Sequence, residues 1–145
     1  ETVIKGSVEG VFEGGMTYKI KGANAYLTLV EAIGPGTRYY RAWISDRLDG
    51  AWKPLPNATT FEQPFAGINN VKFADGVKPW TRDISHGELI RDGYDEIPTI
   101  DPNNLQLLFQ GRDPAVNPAN YSQLPYRLGL LRLNPSATNP PPASP

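Results

Sequence analysis

No cysteine occurs among the 145 residues, and there is one histidine. The first absence excludes disulfides, thiol nucleophiles and thiolate metal sites. The second confines any Ser-His-Asp triad to His86, and the chain has no G-x-S-x-G elbow, no G-x-x-x-x-G-K-S/T phosphate loop and no H-E-x-x-H zinc helix. Surplus charge is missing too: 14 Lys and Arg stand against 15 Asp and Glu, a net charge of -1. So balanced a chain has no electrostatic pull toward nucleic acid or an anionic membrane, and neutral partners are expected. No apolar run approaches the roughly 20 residues that span a bilayer. Glu1 is not followed by a charged n-region and an apolar h-region, so any start codon and targeting peptide are expected outside these residues.

What is abundant is punctuation. The 14 glycines and 15 prolines make up about a fifth of the chain, against roughly 12% in average proteins, which disfavours long helices and points to an all-β chain rich in turns. Apolar and aromatic runs alternate with Gly, Asn and Asp clusters, as successive antiparallel strands require. Met16 to Ile20 and Ala25 to Val30 read as strands joined at Lys21-Gly22-Ala23-Asn24. Gly34-Pro35-Gly36 turns the chain into Arg38 to Ile44, and a short fourth strand is expected after Asp49-Gly50, near Trp52. Such a meander, followed by a long Gly- and Pro-rich connection, is the rhythm of a β-propeller blade. It restarts with Ile84 to Arg91, Leu105 to Gln110 and Tyr126 to Leu133, separated by Asp92 to Asn104 and Gly111 to Gln123. The stretch from Asn134 to Pro145, NPSATNPPPASP, reads as an extended linker or tail. Aromatics at 10%, seven of them tyrosine, suit strands and core, and also suit sugar recognition by ring stacking. Asn57-Ala58-Thr59 and Asn120-Tyr121-Ser122 match the N-glycosylation acceptor and lean toward a secreted, extracellular protein.

Carboxylates remain as catalytic groups. Glu13 follows Val11-Phe12 and precedes Gly14-Gly15, a backbone free to approach a ligand closely beside apolar side chains, which disfavour an ionised carboxyl in general. By local context alone, a solvated surface glutamate and a general acid both fit. His86 likewise fits either a hydrogen-bonded strand residue or a ligand.

Further motifs carry a resemblance. Phe12-Glu13-Gly14-Gly15 with Tyr18-Lys19-Ile20, Val30-Glu31-Ala32-Ile33-Gly34, Arg38-Tyr39-Tyr40-Arg41 and Leu48-Asp49-Gly50-Ala51-Trp52 come first. Pro64-Phe65-Ala66-Gly67, Asp83-Ile84-Ser85-His86-Gly87, Ile100-Asp101-Pro102, Asn104-Leu105-Gln106 and Leu124-Pro125-Tyr126-Arg127 follow in order. From about Val11 to Leu133 the chain resembles the family 62 glycoside hydrolases, the α-L-arabinofuranosidases that act on arabinoxylan. The resemblance implies a five-bladed β-propeller, of which residues 1–133 supply the last two to three blades. The N-terminal part of the same propeller, as a second chain or segment, is then an expected partner beside arabinoxylan or its oligosaccharides.

The resemblance further implies an inverting mechanism with three carboxylates. Glu13 matches the general acid; Glu9, which lacks the preceding Phe, is the weaker candidate. The base and a pKa-tuning aspartate belong to earlier blades, so Asp46, Asp49 and Asp83 are read as turn and network residues. His86 matches the histidine that faces the propeller axis and helps hold a largely hydrated calcium ion. Tyr121 matches a tyrosine beside the sugar subsites, although Ser122 replaces the usual asparagine. Gln110 and Arg127 sit where they could reach the arabinose, and surface networks account for them equally well. Asn103 stands where the family commonly has a cysteine. Two alternatives stay open: a catalytically silent carbohydrate-binding propeller, and a family 43 xylosidase or arabinanase, whose acid motif usually reads E-G-P where this chain has Glu13-Gly14-Gly15.

Overall fold

The computed structural model describes residues 4–134. Eight strands form two sheets, and the only helix among the described residues is a single 3-10 turn, as expected of a chain broken so often by Gly and Pro. The first sheet holds β1 (Glu13–Ile20), β2 (Tyr26–Gly34), β3 (Thr37–Ser45), β4 (Lys53–Pro54) and β6 (Thr99–Ile100) in the order β4-β3-β2-β1-β6. The second holds β5 (Ser85–Leu89), β7 (Gln106–Gly111) and β8 (Arg127–Arg132) in the order β5-β7-β8. The antiparallel meander over β1 to β4 and the three later strands lie where the sequence pattern puts them, with shifted ends. β1 begins at Glu13, three residues before Met16, while β5 is shorter than the run Ile84 to Arg91. The fourth strand is at Lys53–Pro54, just past Trp52.

One feature departs from the expectation and a second adds to it. β6 lies inside the segment read as a separator and pairs parallel to β1, Lys19 with Thr99 and Ile20 with Ile100. The connection between β4 and β5, read only as long and rich in Gly and Pro, folds back along β3. Tyr40 and Ala42 donate their N–H groups to the carbonyls of Ala66 and Ala58, at 2.8 and 2.9 Å, and Phe65 donates to the Tyr40 carbonyl. Backbone groups on that edge of β3 are thereby satisfied by the loop. The Pro-rich stretch lies, from residue 135 on, outside the described residues.

β2 is the central strand and is buried on both faces. Its odd-numbered row, Leu27, Leu29 and Glu31, alternates with Thr28, Val30 and Ala32, because successive side chains of a strand point to opposite faces. Leu27 and Leu29 join Tyr18, Tyr40, Ala42, Leu89, Leu107 and Phe109 in a core that spans both sheets. Glu31 continues the same row as a fully buried carboxylate. β5, at the rim of the second sheet, is tied to the first by tyrosine hydroxyls. Tyr40 Oη accepts the Gly87 N–H at 2.6 Å and Tyr18 Oη accepts the Leu89 N–H at 3.0 Å. These bonds satisfy edge-strand donors that the three-stranded ladder leaves over.

Candidate active site

Each sheet carries one bulge, and both lie at the same place. In β1, Glu13 pairs with Glu31 and Met16 with Leu29, so Gly14 and Gly15 together oppose Val30. Gly14 has φ +64°, a left-handed backbone that costs a side chain about 1–2 kcal/mol and glycine almost nothing. In β5, Ser85 pairs with Gln110 and Glu88 with Leu108, so His86 and Gly87 oppose Phe109. His86 has φ 39°, unusual for a residue with a Cβ and of a kind that clusters at functional sites. A bulge re-aims the side chains beside it.

The two bulges bring three groups together. Ligand atoms of Glu13, Glu31 and His86 all lie within 4.8 Å of one another. His86 Nε2 is 3.6 Å from Glu13 Oε1, and His86 Nδ1 is 3.7 Å from Glu31 Oε2. Glu13 and His86 keep 39% and 49% of their side chains open to solvent, whereas Glu31 is fully enclosed.

A buried carboxylate is costly unless it is hydrogen-bonded and paired. Glu31 has both supports. Ser85 Oγ donates to Oε1 at 2.9 Å, and the His86 backbone N–H donates to Oε2 at 2.8 Å. Arg38 Nη1 lies 3.8 Å from Oε1, with its guanidinium 4.2 Å from the centroid of the Phe12 ring. Asp83 holds the neighbouring backbone: its Oδ1 accepts the Arg38 N–H at 3.1 Å, and its Oδ2 faces Arg112 Nε at 3.6 Å. Thr37 Oγ1 donates to the Arg82 carbonyl beside it. Asp83 thus serves a network, and Asp49 is paired with Arg47 on the surface.

The other sequence-derived residues are spread wider. Gln110 is half-buried in the middle of the second sheet, opposite Ser85 on one side and Leu128 on the other. Arg127 opens β8, exposed and opposite Gly111. Tyr121 begins the 3-10 turn Tyr121–Gln123, 75% exposed, with its hydroxyl 3.4 Å from that of Tyr126. Residue reading passed over Glu31, Ser85, Arg38 and Tyr40 as chemistry, though all stand inside the quoted motifs. The legible signal was Glu31 itself, a charge in the row of Leu27 and Leu29.

These side chains suit a hydrated hard cation. Two carboxylates and one imidazole offer more oxygen than nitrogen, the solvent-open side leaves room for waters, and each Glu31 oxygen is already engaged by a donor. His86 Nε2 and Glu13 are the atoms with capacity to spare.

The model of glycosyl hydrolase family 62 matches residues 1–132. The chain belongs to that family. This family 62 chain is 50% identical over 124 residues to α-L-arabinofuranosidase C of Cellvibrio japonicus, covering 85% of itself and 19% of that protein. It superposes with a TM-score of 0.79 on the catalytic domain of a Coprinopsis cinerea family 62 α-L-arabinofuranosidase, at 47% identity over 86% of this chain and 38% of that one. The Podospora anserina α-L-arabinofuranosidase solved with cellotriose gives 0.82 at 41% identity, over 95% and 41%. A family 62 hydrolase solved with xylotriose gives 0.82 at 44% identity, over 92% and 41%. The chain therefore spans about a fifth of the curated relative and two-fifths of the solved domains.

Proposed function

We propose that this chain carries the general-acid side of a secreted, inverting α-L-arabinofuranosidase that releases arabinose from arabinoxylan. Glu13 carries the reading. Its carboxyl is set by the Gly14 bulge, is open to solvent, and stands 3.6 Å from the only imidazole of the chain. The name of the Cellvibrio relative and the xylotriose bound to a solved family member support the substrate class. Exposed sequon residues Asn57 and Asn120 are compatible with an extracellular location.

In this mechanism Glu13 donates a proton to the glycosidic oxygen leaving toward xylose, while a carboxylate about 6.5–9.5 Å away activates water on the opposite face of the sugar. That carboxylate and the tuning aspartate would come from the N-terminal part of a five-bladed propeller, against which the two sheets described here would pack as blades. His86 would hold a hydrated calcium ion through Nε2; when bound, the ion would supply a positive charge that shapes the field at the sugar. Tyr121, Gln110 and Arg127 would contact xylan and arabinose.

Replacing Glu13 by Gln in the complete enzyme tests the reading. Turnover on arabinoxylan should fall by about 10²–10⁴-fold, and less on an aryl arabinoside whose leaving group needs no proton. Turnover close to the parent on arabinoxylan removes Glu13 from the acid role and favours Glu9 or a sugar-binding module.

A further inference from the structure

The single hydroxyl proton of Ser85 has two claimants. Ser85 Oγ is 2.9 Å from Glu31 Oε1 and 3.0 Å from His86 Nδ1. Glu31 is an acceptor on both oxygens, since it also takes the His86 backbone N–H and faces the Arg38 guanidinium. The Ser85 proton therefore goes to Glu31, and toward the imidazole Ser85 can only accept. We propose that Glu31 and Ser85 are positioning residues which lock His86 as the Nδ1–H tautomer and turn a bare Nε2 toward Glu13. The tautomer is assigned from the hydrogen-bond network.

The arrangement extends the catalytic reading and rests on it for its purpose. Nε2 is 3.6 Å from Glu13 Oε1. An Nε2–H there would donate to Glu13 and engage the oxygen that has to deliver its proton to the sugar. A lone pair donates nothing to Glu13, can accept the proton of its acid form, and keeps Nε2 available as a ligand atom. The same carboxylate fixes the ring's mount, because Glu31 Oε2 holds the His86 backbone N–H at the residue whose φ is 39°.

Glu31→Gln makes the sharp test. The amide must turn its oxygen to the His86 N–H and its NH₂ to Ser85, which reverses the hydroxyl so that it donates to Nδ1 and moves the ring proton to Nε2. In the complete enzyme kept calcium-free with a chelator, labelled with ¹⁵N-histidine and with the His86 signals identified by their loss in His86→Gln, two-bond ¹⁵N–¹H spectra of the neutral ring report the tautomer directly. The expected result is the Nδ1–H pattern in the parent and the Nε2–H pattern in Glu31→Gln, with kcat down about tenfold and KM little changed. Should Glu31→Gln fail to fold, Ser85→Ala is measured the same way, and Ser85→Thr should restore the parent pattern. An Nε2–H pattern in the parent, or an unchanged pattern in folded Glu31→Gln or Ser85→Ala, overturns the proposal. The spectrum reads the ring and not the turnover, so full activity of Glu13→Gln would sink the catalytic reading while the tautomer test at Glu31 and Ser85 still stands.

Discussion

Two buried tyrosine hydroxyls do the work of a missing strand. Tyr18 and Tyr40 cap the Leu89 and Gly87 N–H groups of β5, so removing either oxygen leaves an amide donor buried without a partner. Tyr18→Phe and Tyr40→Phe should each cost about 1–3 kcal/mol, read from the urea midpoint of the complete enzyme. The same burial sets an alkaline limit. Desolvation pushes the Tyr18 phenol up to about 12 from its ordinary 10, the Leu89 bond offsetting part of the shift, and raises Tyr40 further in the same direction. A folded value above the unfolded one means that the native state holds its protons longer. Stability from these groups is thus full below pH 10 and is lost as pH rises through 10 to 12 and beyond, at up to about 1.4 kcal/mol per pH unit for each tyrosine. Urea titrations across that range should show the fall, and Tyr18→Phe should make it shallower. Glu13 and His86 were legible as residues from their motifs. Glu31 was not, because a glutamate in a strand is ordinarily read as solvent-facing, and only the second sheet lying over β2 encloses it.

At the scale of the element, the bulge in β1 separates two adjacent glycines. Gly14 needs its left-handed backbone, although an added Cβ would meet only ordinary contacts, with Tyr40 Oη at 3.7 Å and Glu31 Cβ at 3.8 Å. Gly15 has open space around it and no positive φ. Gly14→Ala should therefore cost about 1–2 kcal/mol and lower kcat by displacing Glu13, whereas Gly15→Ala should stay within about 0.5 kcal/mol of the parent. Equal effects at both positions would contradict the bulge as the device that aims Glu13. In β5 the constraint is space: a Cβ on Gly87 would come within 2.7 Å of the Leu108 carbonyl oxygen, which is backbone and cannot give way cheaply. The turns and strands of the meander were readable because Gly34-Pro35-Gly36 and the alternating runs flank them. β6 was not, since two residues, Thr99 and Ile100, carry no period and pair only because β1 offers an open edge.

For the whole molecule, the outer face of the second sheet leaves a patch of leucines bare. Leu108 is 40% exposed, and the row Leu128 and Leu130 beside it is 74% and 41% exposed. Burying such leucines is worth roughly 1.5–3 kcal/mol each when complete, so a sheet that leaves them in water is poorly stabilised by itself. The proposed N-terminal blades would cover this face. Produced separately, residues 1–133 should self-associate, and co-expression with the remaining part of the catalytic domain should give a stable complex. Leu128→Asp should weaken that complex. A monomeric piece with cooperative unfolding and dispersed amide resonances would speak against the incomplete propeller. Removal of the proposed calcium ion by a chelator should lower the melting temperature of the complete enzyme only slightly, because an ion held by one imidazole and waters binds weakly. A large loss would mean a tighter site than His86 and waters can form.

By itself the sequence determined the all-β class, the order of the strands other than β6 and the family, since Gly and Pro spacing, alternation and motif order are local properties of the chain. It also singled out Glu13 and His86. Only the tertiary structure decided that these two meet, because they stand on different sheets and each is aimed by a bulge whose extra residue is defined by the partner strand. It decided as well that Glu31 is a buried anion held by Ser85, the His86 amide and Arg38. Burial and hydrogen-bond direction belong to the space between the sheets, where residues more than fifty positions apart in the chain become neighbours.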